Sequence, residues 1–240
     1  MQVRKHIPNT ITCLNLASGV LGLVLCFEGY SQYAFLLMLL AAVFDFCDGL
    51  AARMLGAYSP MGKELDSLAD LISFGVLPAV MWYKLAGSCG IHPYWLAYVP
   101  LLLAVFSGLR LAKFNVDERQ SDSFIGLPTP ACALICGSLT YFAAASESAF
   151  LVRLLSSAWF LPLASVALCA LLVSEIPMFS MKVHRGESLR AFLNVRRVAW
   201  LLIVLACSVY TAIRGMNWSF IPLSAFVGYV LVNLVPQKRH

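Results

Sequence analysis

Apolar stretches about as long as a bilayer's hydrocarbon core is thick, roughly 20 residues, recur eight times along this 240-residue chain. They fall at about residues 10–27, 33–52, 68–87, 94–113, 128–146, 158–178, 197–213 and 217–235. Backbone groups cannot stay unpaired in lipid, so each stretch is expected to close its hydrogen bonds internally as a helix. Hydrophobic residues make up 60% of the chain and charged ones 12%, a balance that leaves no material for a separate soluble domain. The predicted fold is all-α: one polytopic membrane bundle, residues 1–240, of about eight transmembrane helices, with a six-helix core and two peripheral helices as the alternative.

Orientation follows from the basic residues. With the N-terminus inside, the cytoplasmic side holds Arg4, Lys5, Arg53, Lys63, Arg110, Lys113, Arg119, Lys182, Arg185, Arg190, Arg196, Arg197, Lys238 and Arg239, and the opposite side only Lys84, Arg153 and Arg214. Fourteen against three is a strong positive-inside bias, and it puts both termini in the cytoplasm. The first nine residues are basic and lack a small-residue cleavage site, so the first stretch reads as a retained helix. No basic stripe carries interleaved exposed aromatics, which argues against nucleic acid. The eight cysteines are scattered through apolar segments without a CxxC pair and are expected to be small buried residues. The four histidines show no metal-ligand spacing.

Against this apolar background, four of the six aspartates fall in one run: Asp45-x2-Asp48-Gly49-x2-Ala52-Arg53-x8-Gly62-x3-Asp66-x3-Asp70. Spacings of three and four put each pair on one helical face. Both pairs are assigned to one interface, at the end of the second span and the start of the third. Carboxylates crowded at a membrane surface repel unless a cation neutralises them. Oxygen-only ligands suit a hard divalent ion, and an ion with open coordination positions suits phosphoryl transfer. A lipid substrate with a diphosphate head group is therefore expected. A cation transporter is the competing reading, although such proteins tend to carry acidic groups near the midplane on broken helices.

All eight fixed positions of this run match, so the chain resembles the CDP-alcohol phosphotransferase family. The resemblance implies a membrane-embedded, usually homodimeric helical enzyme in which a second alcohol displaces CMP from a CDP-linked substrate with Mg²⁺ or Mn²⁺, two ions being expected. Carried over by position, it implies metal binding by Asp45, Asp48, Asp66 and Asp70, with Asp70 also the catalytic base. It implies nucleotide-side contacts for Gly49, Ala52, Arg53, Ser59 and Gly62.

Three further groups of segments resemble the phosphatidylserine synthase branch. They are Pro8-Asn9-x2-Thr12-x2-Asn15, Leu109-Arg110-Leu-Ala-Lys113-Phe-Asn115 with Phe124-Ile-Gly126-Leu-Pro128-Thr-Pro130, and Ser174-Glu-Ile-Pro177-Met-Phe-Ser180-Met-Lys182. The branch implies CDP-diacylglycerol and L-serine as substrates, with phosphatidylserine and CMP as products and membrane lipids as surroundings. A serine acceptor needs partners for its carboxylate and its ammonium. Arg110, Lys113 and Lys182 are candidates for the first, and Asn115 or Glu175 for the second. Glycerol phosphate or inositol phosphate as acceptor stays open.

Overall fold

The structure, a computed structural model, describes residues 3–116, 124–145, 153–155, 157–179 and 195–235. It is helical, with eight apolar helices among the described residues. These are α1 Val3–Phe27, α2 Ser31–Leu55, α3 Pro60–Ser88, α4 Tyr94–Val116, α5 Thr129–Ala145, α6 Phe160–Val173, α7 Val195–Arg214 and α8 Phe220–Leu234. Five apolar segments, within α1 to α4 and α7, are long enough to cross a bilayer, while α5, α6 and α8 are shorter apolar helices. An antiparallel contact pairs β1 (Phe124–Ile125) with β2 (Pro177–Met178), two residues each.

Each expected apolar stretch coincides with a helix, and the differences have local causes. The helix expected from residue 68 begins at Pro60. Ser59 caps it by accepting the Gly62 backbone N–H at 3.0 Å, and Pro60 occupies the first turn, where its missing N–H costs nothing. Asp66 and Asp70 therefore stand well inside α3 rather than at its start. The stretch expected to run to residue 178 leaves the helix after Val173. Ser174 turns to extended backbone and Pro177 cannot donate to a helical ladder, so the chain enters β2 instead. Just past Asp70, residues Leu71–Val76 of α3 form a π-helical turn, a distortion common beside functional sites. Of the cysteines, Cys26, Cys132, Cys136 and Cys169 are buried as expected, whereas Cys13 is exposed on the outside of α1 and Cys47, Cys89 and Cys207 are half-buried.

The helices alternate in direction, and side-chain contacts identify the two ends of the bundle. At one end Lys63 Nζ, in the first turn of α3, donates to the Asn115 carbonyl in the last turn of α4 at 3.0 Å. At the other, Lys84 Nζ reaches the Phe27 carbonyl at 3.4 Å, joining the far ends of α3 and α1. The core between them is aliphatic and aromatic, with Trp82, Phe35, Phe74, Met38 and Leu103 fully buried. Trp82 Nε1 donates to the Cys136 carbonyl at 2.9 Å, so even this indole carries no unpaired donor.

Two glycines set the closest helix approaches. A Cβ on Gly19 would lie 2.4 Å from Ser73 Oγ and 3.0 Å from Ser73 Cα, so its absence lets α1 press directly on the π turn of α3. A Cβ on Gly137 would lie 2.3 Å from Met38 Cε and 2.4 Å from Phe35 Cδ2, across the α2–α5 contact. Overpacking of this kind costs about 1–3 kcal/mol. Gly137→Ala is expected to lower thermal stability in detergent, whereas Gly87→Ala, which meets nothing within 4 Å, is expected to be neutral or slightly stabilising. Equal melting temperatures for the two variants would contradict this packing.

Candidate active site

Three helices converge on the acidic run. Helix α2 presents Asp45 and Asp48, α3 presents Asp66 and Asp70, and α1 supplies polar partners from Thr12 and Asn15, which share one face through the same three-residue spacing. Carboxylate oxygens of Asp45, Asp48 and Asp66 all lie within 4.8 Å of one another. Asp70 stands beside this triad, its carboxyl against that of Asp45. Asp48 is buried, and the others are half-buried.

Both α1 contacts are with neutral groups. Thr12 Oγ1 donates to Asp48 Oδ2 at 2.6 Å, a short bond of the charge-assisted kind. Asn15 Nδ2 donates to Asp70 Oδ1 at 3.3 Å. The Asn15 backbone carbonyl also accepts Ser73 Oγ at 3.1 Å, so Asn15 is tied to α3 on both sides of Asp70. Its own Oδ1 is buried without a partner. Among the described residues no lysine or arginine forms an ion pair with the four aspartates; the ion pair present there joins Lys113 to Glu175 at 3.8 Å.

Like charges 4.8 Å apart repel by roughly 3–4 kcal/mol per pair at an effective dielectric of about 20. Hydrogen bonds to charged groups return about 1.5–3 kcal/mol each, too little to balance three such pairs. The arrangement fits a hard divalent cation by charge, by its oxygen-only donors and because none of these carboxylates is ion-paired to a lysine or arginine among the described residues. It is a candidate metal site formed by carboxylates from two helices, α2 and α3.

A cavity of about 560 Å³ opens against the cluster. Asp48 and Asp66 form its acidic wall; Gly49, Ala52, Ser59 and Gly62, four of the expected nucleotide-side positions, also line it. Gly62 is closely packed: a Cβ there would sit 2.9 Å from Asn9 Oδ1 and 3.0 Å from Ser59 Oγ, so those side chains would have to shift. Gly49 is different. A Cβ there would meet nothing within 4 Å, and a glycine inside a helix costs about 1 kcal/mol relative to alanine. No packing in the fold explains that glycine, whereas space for a ligand does. Ser59 spends its hydroxyl on capping α3. Arg53 is exposed and does not line the cavity; its Nε donates to the Gly49 carbonyl at 3.0 Å.

The expected acceptor-side residues separate into different environments. Arg110 is buried in α4, with Nη1 donating to Thr129 Oγ1 at 3.3 Å and its guanidinium over the Phe114 ring at 5.2 Å. Asp70 and Tyr229 are its electrostatic neighbours. Lys113 is part-exposed and paired with Glu175. Asn115 Nδ2 donates to Ser67 Oγ at 2.8 Å, bridging α4 and α3 one residue from Asp66. Lys182 lies outside the described residues. Sequence reasoning singled out Thr12 and Asn15 as a motif without connecting them to the aspartates, and it did not identify Tyr229.

Comparison with known proteins agrees with this geometry. The CDP-alcohol phosphatidyltransferase family matches residues 5–171, which include all four aspartates and the cavity. The chain is similar to a CDP-diacylglycerol–serine O-phosphatidyltransferase of Mycobacterium leprae, 34% identical over 236 residues, covering 88% of this chain and 76% of that one. It is also similar to one of Bacillus subtilis, 33% identical over 193 residues, covering 78% and 97%. An archaetidylserine synthase of Methanothermobacter thermautotrophicus is 38% identical over 150 residues, covering 61% and 63%. Apolar helices converging their carboxylates at one end of the bundle, and a family match over most of the chain, lead to one conclusion: this is an integral membrane protein of the CDP-alcohol phosphatidyltransferase family.

Proposed function

We propose that the protein transfers the phosphatidyl group of CDP-diacylglycerol to the hydroxyl of L-serine, releasing CMP and forming phosphatidylserine. The observation that carries this reading is the carboxylate cluster beside a cavity, in a chain of this family. The choice of serine is supported by the relatives from Mycobacterium leprae and Bacillus subtilis, each covered over three quarters or more of its length.

In this reading Asp45, Asp48, Asp66 and Asp70 hold Mg²⁺ or Mn²⁺, two ions in all. Bound there, divalent cations neutralise the diphosphate and stabilise the departing CMP. Gly49, Ala52 and Gly62 leave the nucleotide room to approach the backbone, with Ser59 fixing the loop that closes the cavity. Arg53, anchored through Nε, keeps its remaining N–H groups for a phosphate oxygen. Asp70 takes the proton of the serine hydroxyl as that oxygen bonds to the lipid-linked phosphorus and the bond to CMP breaks. Asn15 is a positioning residue, since its amide limits how the Asp70 carboxylate can turn.

The serine carboxylate is assigned to Arg110, the buried cation near Asp70, with Lys113 and Lys182 as further candidate cations. With Nδ2 committed to Ser67, Asn115 turns its carbonyl oxygen toward any ammonium group. The site faces the cytoplasm in this account. The bundle end that carries it also carries Arg53, Lys63, Arg110, Lys113, Arg196 and Arg197, against Lys84, Arg153 and Arg214 at the other. The functional unit is taken as a homodimer of single-domain chains.

Two measurements test this chemistry. Losing an outer partner of a metal ligand typically weakens metal binding about 10–100-fold. Thr12→Val, which removes the hydroxyl on Asp48 and spares every carboxylate, is therefore expected to weaken Mn²⁺ binding followed by electron paramagnetic resonance in detergent. Unchanged affinity would remove Asp48 from the ligand set. Losing a general base costs about 10²–10⁴ in rate. Asp70→Asn is expected to slow CMP release by that factor, and near-normal release would end its assignment as base.

A further inference from the structure

The family match stops at residue 171, yet the last helix reaches back toward the site. Tyr229 and Asn233, one turn apart on α8, hold the backbone of Phe179 on both sides of its Cα. The Tyr229 hydroxyl donates to the Phe179 carbonyl at 3.0 Å, and Asn233 Oδ1 accepts the Phe179 N–H at 3.0 Å. The Asn233 amide has no freedom to flip, because its Nδ2 donates to the Tyr229 carbonyl at 2.8 Å within the helix. The rings of Phe179 and Tyr229 meet edge to face at 4.8 Å, and Trp200 of α7 closes the other side at 6.3 Å. Trp200 Nε1 in turn donates to the Ala225 carbonyl at 2.8 Å, which fixes α7 to α8 at this level. Tyr229 and Asn233 are both buried.

What they hold is the chain directly after β2. That strand pairs with β1, and the Gly126 N–H donates to the Ile176 carbonyl at 3.0 Å. Three residues beyond Gly126 is Thr129, the partner of Arg110. Arg110 is an electrostatic neighbour of both Asp70 and Tyr229. A two-residue ladder contributes little on its own, so β2 depends on its flanks to stay against β1. The clamp on Phe179 is one of those flanks.

We propose that α8 completes the acceptor side of the active site, with Tyr229 and Asn233 as positioning residues that lock the backbone at Phe179 and thereby hold the wall around Arg110. The inference rests on the phosphatidyl-transfer reading and adds to it where acceptor recognition is built: partly on a helix outside the shared family region. The metal cluster and the nucleotide cavity sit on α1, α2 and α3 and do not depend on the clamp.

The test uses the full-length protein in detergent, with KM measured separately for CDP-diacylglycerol and for the alcohol that the wild type accepts. A hydrogen bond of ordinary net strength corresponds to roughly a three- to tenfold change. Tyr229→Phe and Asn233→Leu are each expected to raise the acceptor KM by that factor, leaving the CDP-diacylglycerol KM within about twofold. Asn233→Asp keeps the oxygen that faces the Phe179 N–H and is expected to restore much of the loss. Because the two residues anchor the backbone of the same residue, Phe179, the double variant should lose less than the product of the single losses. If both KM values rise together, or melting temperature falls with the acceptor KM unchanged, the clamp is only structural and the proposal is overturned. Should Asn233→Leu fail to fold, Tyr229→Phe decides by the same split. Transfer to an alcohol other than serine overturns the serine reading and leaves the clamp to be scored with that alcohol, whereas no transfer to any alcohol overturns both.

Discussion

Carboxylates that must share one end of an apolar bundle impose the constraint on which this structure depends. Asp45, Asp48 and Asp66 bring oxygens within 4.8 Å of each other with no basic side chain among the described residues to pair with them. Left alone, that arrangement would push α2 and α3 apart. The fold instead tightens around it. Gly19 lets α1 press on α3, Thr12 and Asn15 satisfy oxygens of Asp48 and Asp70, and the π turn begins directly after Asp70. These features make sense together if the acidic cluster is completed by a cation and the phosphates that the cation carries.

In the proposed reading, the chemistry and the choice of acceptor fall on different parts of the molecule. Helices α1 to α3 carry the carboxylates and the cavity, all within the region shared with the CDP-alcohol phosphatidyltransferase family. The buried Arg110 on α4 marks a second region, bounded by the start of α5, the short β contact and α8. A common catalytic centre with a separately built acceptor wall is a physical route by which one family can serve many alcohols, since binding energy for the acceptor is added without disturbing the metal ligands.

Much of this was legible in the amino-acid sequence because it depends on local periodicity. The eight apolar stretches announce helices through length alone, and Asp45/Asp48 and Asp66/Asp70 announce shared faces through their spacing. What stayed hidden depends on contacts between distant residues. Thr12 meets Asp48 across 36 positions and Asn15 meets Asp70 across 55, and neither pairing leaves a periodic trace. The start of α3 at Pro60 was missed because its first turns are polar, although Ser59-Pro60 carries a recognisable cap. Lys113 and Glu175 were assigned to opposite ends of an acceptor, while in the structure they pair with each other. Arg53, read from the motif as a nucleotide contact, is exposed beside the cavity, with Nε donating to the Gly49 carbonyl, a bond that the motif does not announce. The contacts of Tyr229 with Phe179 had no signal, because an aromatic residue in an apolar helix looks like any other core residue.

The most direct test is product identification. Purified protein would be mixed with CDP-diacylglycerol, Mn²⁺ and an equimolar set of serine, glycerol phosphate and inositol phosphate, and both the nucleotide and the lipid products resolved. The account predicts CMP and phosphatidylserine in equal amounts, both lost on chelation of the metal. Formation of a different phospholipid would contradict the serine assignment, and CMP release that persists after chelation would contradict the central role given to the aspartate cluster.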